Sequence, residues 1–205
     1  MPQAPDDAAE QSLRAQAKEL LRERMRSLRR VLPAQAAAAR SAALCARLCE
    51  LPEFAGAQLV VGYRAYRKEA DPSAALAEAA RAGKRVGLPR MLAAGALELH
   101  LHEPGTPLEP NELGIEEPPA DAARVDLARV DLIIVPAVAF DARGHRIGQG
   151  HAYYDRLLPQ LPAAFKVAVG YDFQLLADLP DQPGDARVDA IVTDARVLRC
   201  ETGST

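Results

Sequence analysis

Apolar residues in the first part of the chain recur with a helical period. Leu13, Ala17, Leu20, Leu21, Met25 and Leu28 follow one another at spacings of three and four, which predicts a helix from Ala9 to about Leu32 with arginines on its other faces. Pro33 ends it. The segment AQAAAARSAALCARLCEL is rich in strong helix formers and predicts a second helix that stops before Pro52. After that the period changes. AQLVVGYRAY is a short β-branched apolar run, PSAALAEAARAG is helical with a terminal glycine, and RVGLPRM is again strand-like. That order predicts a right-handed βαβ crossover with parallel pairing. ALELHLHEP alternates apolar and polar positions, as a strand with one wet face does, whereas VDLIIVPAVAF is apolar throughout, as a central strand covered on both faces should be. FKVAVGY and VDAIVTD predict two further parallel strands, and YYDRLLPQL a helix.

The pattern therefore predicts a three-layer αβα domain with a mainly parallel sheet. A chain of 205 residues is long enough for one substantial core, so a single domain spanning 1–205 is expected, with residues 1–8 a frayed polar end. The least regular segment is HEPGTPLEPNELGIEEPPADAA, where prolines forbid a helix through most of its length. No apolar run reaches the roughly 18 residues that span a bilayer, and the N-terminus lacks the apolar stretch of a signal peptide. Three cysteines without a C-x-x-C pair point to reduced thiols. These features make the cytoplasm the expected location and a membrane partner unexpected. Nucleic acid is also unexpected: the formal charge is -3, and Glu19 and Glu23 interrupt the basic run from Arg14 to Arg30.

The chemistry concentrates in RIGQGHAYYDR, directly after the apolar run that ends at Phe140. Ligands of parallel sheets sit at the carboxyl ends of strands, and this loop opens at such an end. Gly148 and Gly150 free the backbone so that successive N–H groups can turn toward phosphate oxygens, and a helix starting at Tyr153 would add its positive end. Arg146 and Arg156 offer full charges, and Asp155 beside a polyanion makes sense as a Mg2+ ligand. The same residues also fit a plain turn, with the tyrosines in the core and Asp155 paired to Arg156 at the surface. The stretch is neither a dinucleotide fingerprint nor a Walker loop, because the second glycine spacing and the Gly-Lys-Ser/Thr are absent.

The segment VPAVAFDARGHRIGQGHAYYDR resembles the signature of the 5-formyltetrahydrofolate cyclo-ligases, also called methenyltetrahydrofolate synthetases. KELLR, KEAD, GKRVGLPRM, NELGIEEP, GYDFQ and GDARVDAIVTD match that family in the same order, so the resemblance runs from Lys18 to Asp194. It implies a sugar-isomerase and CoA-transferase-like α/β fold, a monomer, and an ATP- and Mg2+-dependent reaction. In that reaction ATP phosphorylates the formyl oxygen of 5-formyltetrahydrofolate, N10 attacks the activated carbon, and phosphate leaves to give 5,10-methenyltetrahydrofolate.

By matched position, the resemblance assigns Lys18, Arg22, Arg146, Ile147, Gly148, Gln149, Gly150, His151, Ala152, Tyr153 and Tyr154 to ATP. Arg64 and Glu69 fall to the folate, which also shares Gln149, Gly150, His151, Ala152 and Tyr153. Asp155 and Asp185 are the implied metal ligands. Lys18 and Arg22 stand one helical turn apart, which suits a clamp on a triphosphate, and a carboxylate at Glu69 suits the donors of a pterin. The remaining cations of that helix read as a solvated face. Asp189 reads as locally paired or solvent-facing, and Glu117 as shaping a pocket without contact. Three positions depart from the family pattern: Ala152 where a third glycine is usual, a bulkier His151, and Pro72 in place of a threonine. A methyl group at Ala152 is unfavourable if that position needs positive φ. It is also the argument for the competing reading, a relative that binds folate or nucleotide without turnover.

Overall fold

In the computed structural model, which describes residues 5–92 and 95–200, the chain opens with α1 (Pro5–Val31), α2 (Ala34–Cys49) and the single turn α3 (Pro52–Gly56). The frayed end expected over 1–8 falls outside the described residues at 1–4. From Pro5 the backbone is already helical, and proline is tolerated at that first position because its missing N–H has no intrahelical acceptor there. Next come β1 (Leu59–Val61), α4 (Ser73–Arg81), β2 (Arg85–Met91) and β3 (Leu97–Leu101), followed by a short hairpin, β4 (Glu109–Pro110) and β5 (Glu116–Glu117). The remaining elements are β6 (Leu132–Pro136), β7 (Ala139–Asp141), β8 (Arg146–Ile147), α5 (Tyr153–Leu157), β9 (Phe165–Val169), β10 (Leu175–Leu176), β11 (Ala190–Val192) and β12 (Val197–Arg199).

The main sheet runs β12-β11-β9-β6-β1-β2-β3. Its five central strands are mutually parallel, and the edge strands β3 and β12 pair antiparallel. The strand–helix–strand unit of β1, α4 and β2 is parallel as its sequence predicts. Along β6 the side chains alternate between the two faces. Leu132 and Ile134 pack with Leu44, Leu48 and Leu76 of α2 and α4, while Ile133 and Val135 pack with Leu157, Leu158 and Leu161. All four β6 side chains are wholly buried, and each contributes roughly 1.5–3 kcal/mol by leaving water.

Three expectations change. VDLIIVPAVAF is not one strand: the main-sheet strand ends at Pro136, which has no N–H to give, and the chain crosses into a second sheet ordered β10-β7-β8. Ala139 and Phe140 are as buried there as a central strand would be, so hydrophobicity alone could not separate the two sheets. YYDRLLPQL is a five-residue α5 followed by a 3-10 turn at Leu158–Gln160, where Pro159 interrupts the helical bonding. The helical layer on that face is therefore thin.

The third change concerns α1. Three of its leucines look outward: Leu13 is 65%, Leu20 68% and Leu28 42% exposed. Its inward face carries Lys18, Met25 and Arg29, all buried, with Arg22 half-buried between them. Met25 joins a small apolar cluster with Val138, Ala139, Ile147 and Leu179, and half-buried Leu21 packs against it. The helix thus covers polar ground over the small sheet, and its cations face inward because their acceptors lie there.

Candidate active site

Two adjoining cavities open beneath α1, past the ends of β1 and β6. The smaller, about 260 Å³, is walled by Lys18, Arg22, the whole run from Arg146 to Asp155, Gln182 and Asp185. The larger, about 810 Å³, is lined by Tyr63, Arg64, Tyr66, Met91, Ile115 and cations of α1. Glu69, Gln149, His151, Tyr153 and Tyr154 belong to both walls. Every position singled out for ATP or metal therefore meets in one place, and Arg64 and Glu69 meet in its neighbour.

The loop between β8 and α5 gives its carbonyls to α1 and keeps its amides free. Arg22 Nε donates to the Gly148 carbonyl at 2.9 Å, and Arg26 Nη2 to the Gln149 carbonyl at 3.1 Å. Among the described residues, no backbone N–H from Gly148 to Ala152 finds a protein acceptor. Such a row of unpaired donors is what an anion-binding loop requires. Gly150 has φ +108°, open only to glycine in practice. Gly148 is different: its φ lies outside the left-handed region, and an added Cβ would meet only Arg146 Nη1, at 3.7 Å. The freedom expected of both glycines is used at Gly150 alone. Ala152 caps α5 in the left-handed region, with φ 53° and ψ 25°. The methyl is tolerated there at a cost of about 1–2 kcal/mol. With only five residues, α5 supplies little of the dipole expected of it.

Charges in the smaller cavity are paired but not saturated. Lys18 Nζ lies 2.6 Å from Asp185 Oδ2, which also accepts from the Gln182 amide at 2.7 Å. Arg146 Nη2 donates to Asp155 Oδ1 at 2.8 Å, and the Ala186 amide reaches the same oxygen at 3.1 Å. Asp155 thus pairs with Arg146 and not with Arg156, which turns to the carbonyls of Gly95 and His151. Arg146 is buried and its Nε has no hydrogen-bond partner among the described residues. Burial pulls its pKa below the ordinary arginine value, opposed chiefly by Asp155. The Arg146 guanidinium stands 5.8 Å from the centre of the Tyr154 ring. Burial pushes that hydroxyl's pKa far above the usual tyrosine range, so it remains a donor.

Asp155 and Asp185 place two carboxylates on one wall, and their hydrogen bonds fall on one oxygen of each. No group of three or more acidic, His or Cys ligands converges among the described residues. The pair fits a Mg2+ ion that completes its shell with phosphate oxygens and water, the arrangement this cation favours.

On the other side, Glu69 Oε1 accepts from Gln149 Nε2 at 2.8 Å and Oε2 from the Tyr66 amide at 3.2 Å. Arg67 and Lys68 precede it with φ of 46° and 58°. Lys68 Nζ binds the carbonyls of Arg30 and Leu32 at 2.8 and 2.7 Å, which ties this strained turn to the end of α1. Arg64 is held by Glu116 at 2.6 Å and by Ser73 Oγ at 3.1 Å. Buried Glu117 accepts from the Met91 amide and Asn111 Nδ2, bracing the wall from behind. Asp189 caps the Lys166 amide at 2.7 Å, the local pairing expected of it. Arg26 and Arg29 escaped the sequence reading as part of a solvated face. Lys18, Arg22, Arg26 and Arg29 are spaced by four, four and three, and that spacing was the available signal.

The model of the 5-formyltetrahydrofolate cyclo-ligase family matches residues 14–194, nearly the whole chain. The chain belongs to the 5-formyltetrahydrofolate cyclo-ligase family. It is 36% identical over 156 residues to the 5-formyltetrahydrofolate cyclo-ligase of Escherichia coli K12, covering 74% of this chain and 86% of that one. It is 30% identical over 175 residues to a probable cyclo-ligase of Schizosaccharomyces pombe, covering 78% and 86%. The solution structure of Aquifex aeolicus 5,10-methenyltetrahydrofolate synthetase superposes with a TM-score of 0.81 at 33% identity, over 92% of this chain and 95% of that one. A Mycoplasma pneumoniae synthetase, at 19% identity and a TM-score of 0.71, has the same fold. Against the cyclo-ligase pattern, His151 is exposed and packs its ring 5.3 Å from that of Tyr153, while Pro72 stands at the start of α4. Neither departure removes a charge from the site.

Proposed function

We propose that this cyclo-ligase converts 5-formyltetrahydrofolate and ATP to 5,10-methenyltetrahydrofolate, ADP and phosphate with Mg2+. The observation that carries this reading is the loop Gly148–Ala152, with its free amides facing a cavity that also holds Lys18, Arg22 and Arg146. Phosphates of ATP are the ligand such a cradle suits. The larger cavity next door, with Glu69 in the shared wall, takes the folate.

The chemistry needs positioning and charge neutralisation more than a protein nucleophile. The formyl oxygen forms a bond to the γ-phosphorus as the bond to ADP breaks. N10 then adds to the formyl carbon, loses its proton, and the C–O bond breaks with phosphate as leaving group. Arg146 and Lys18, held by Asp155 and Asp185, keep two fixed cations beside the transferred group. Tyr154, protonated because its hydroxyl is buried, donates at the border of the two cavities. Glu69, oriented by Gln149 and Tyr66, orients the pterin. A Mg2+ ion at Asp155 and Asp185 would supply further neutralisation of phosphate charge. The α1 helix screens the site from water.

The free thiols of Cys45, Cys49 and Cys200 suit the reducing cytoplasm. No helix among the described residues is long and apolar enough to cross a membrane. The test is to incubate the protein with 5-formyltetrahydrofolate, Mg2+ and ATP and to follow the methenyl absorbance. Product that appears only with ATP is the expected result. Its absence, together with no heat on titrating magnesium-ATP, overturns the reading.

A further inference from the structure

The geometry points to Arg29 as the residue that recognises the 4-oxo group of the pterin and so excludes 4-amino pterins. The inference rests on the folate reading above and assigns a specificity determinant within it. Arg29 is only 3% exposed, yet its Nε and Nη1 have no hydrogen-bond partner among the described residues. The nearest carboxylate oxygen, Glu69 Oε1, lies 3.6 Å from Nη1, close enough for an ion pair and too far for a hydrogen bond. Buried guanidinium donors are seldom left unmatched. Arg29 lines the larger cavity, which sets its guanidinium beside whatever fills it.

Glu69 and Arg29 present an acceptor and a donor side by side. Each Glu69 oxygen accepts one protein hydrogen bond, from Gln149 or Tyr66, and keeps a second acceptor position. A pterin edge offers the complementary order: the 2-amino and N3–H donors, then the 4-oxo acceptor. With the two donors on Glu69, the 4-oxo oxygen falls on the Arg29 side. The two residues are also held in register, because Lys68 ties the last turn of α1 to the loop that carries Glu69. A 4-amino pterin would turn a donor toward a guanidinium that can only donate. Sites that hydrogen-bond a substrate group discriminate strongly against analogues lacking it.

The experiment is equilibrium binding, without ATP, of 5-formyltetrahydrofolate and its 4-amino analogue to wild type, Arg29→Met and Arg29→Lys. Thermal melts check that each variant is folded. Wild type is expected to prefer the 4-oxo compound at least tenfold. Arg29→Met should bind 5-formyltetrahydrofolate about 10- to 100-fold more weakly and narrow the preference at least tenfold. Arg29→Lys should fall between the two, since it keeps the charge and loses the planar fork. Arg29 as a mere counterion of Glu69 predicts that both ligands weaken equally; an unchanged ratio therefore overturns the proposal while leaving the folate reading intact. So does a wild-type protein with no preference, a result that needs no variant to fold. Wild type that binds neither compound overturns the folate reading and this inference together.

Discussion

Two loops meet at the site, one after β1 and one after β8, and they are finished differently. In the first, residues 62–72, a set of side chains and amides around Glu69 is bonded within the protein. The buried Tyr63 hydroxyl donates to the Ala70 carbonyl, Ser41 Oγ accepts from the Asp71 amide, the Glu69 amide bonds the Tyr66 carbonyl, and Lys68 is spent on α1. In the second, residues 148–152, carbonyls are matched by Arg22 and Arg26 while the amides are not. The first loop therefore holds a side chain, Glu69, in one orientation. The second holds a set of donors ready, at the expense of its own stability. The two strategies suit a ligand with a fixed hydrogen-bond edge and a ligand with diffuse negative charge.

The largest effect is expected where the second loop meets charge. Asp155→Asn keeps the acceptor for Arg146 and removes the negative charge, so kcat should fall about 100- to 1000-fold, by analogy with losing one preorganised electrostatic group. Binding of 5-formyltetrahydrofolate without ATP should move less than about threefold. An equal loss in both would erase the division of labour. Next is Glu69→Gln, which removes the carboxylate that the first loop brings to the cavities. The folate KM should rise about 10- to 100-fold, the range for a charged hydrogen bond, with the KM for ATP little changed. The reverse pattern would exchange the roles of the loops.

A smaller effect is expected at Tyr63. Tyr63→Phe leaves the Ala70 carbonyl without its donor and should cost about 1–2 kcal/mol of unfolding free energy, measured by urea titration at neutral pH. Burial raises the Tyr63 pKa well above the ordinary tyrosine value, with Glu69 adding to the shift. A raised folded pKa means that the phenol's contribution is fully present below about pH 10, the unfolded value. It is lost as pH rises through the folded value. The gap between wild type and Tyr63→Phe should accordingly narrow above about pH 10. The smallest effect is at Ala152, whose φ of 53° favours glycine. Ala152→Gly should stabilise the protein by up to about 1 kcal/mol and tighten magnesium-ATP binding slightly, both read from a thermal shift with and without nucleotide. A destabilised variant would mean that the methyl makes contacts worth more than its strain.

The candidate site was largely legible in the chain, and the places where reading failed share a cause. The loop from Arg146 to Asp155 gathers its polar and glycine residues consecutively, so it stands out before any fold is known. Arg29 and Arg26 do not, because their neighbours in sequence are further cations. Only the packing of α1 distinguishes the four that face inward from those in water. The outward leucines of α1 misled in the same way, since spacing gives a face without saying what that face meets. At Pro136 the apolar run continued across two sheets, because burial is all that hydrophobicity reports.

By itself, the sequence determined the parallel β1–α4–β2 unit, the wholly buried strand at Leu132–Val135, and the position of the glycine-containing loop Gly148–Ala152 beyond it. These depend on short-range periodicity and on adjacent residues, which the covalent chain sets directly. The tertiary structure decided which cations of α1 reach the site, which of two glycines uses its freedom, and that Asp155 faces Arg146 and not Arg156. Those outcomes turn on which distant groups come within a few ångströms. Ion pairs and hydrogen bonds are local in space, and the chain order does not list who the neighbours are.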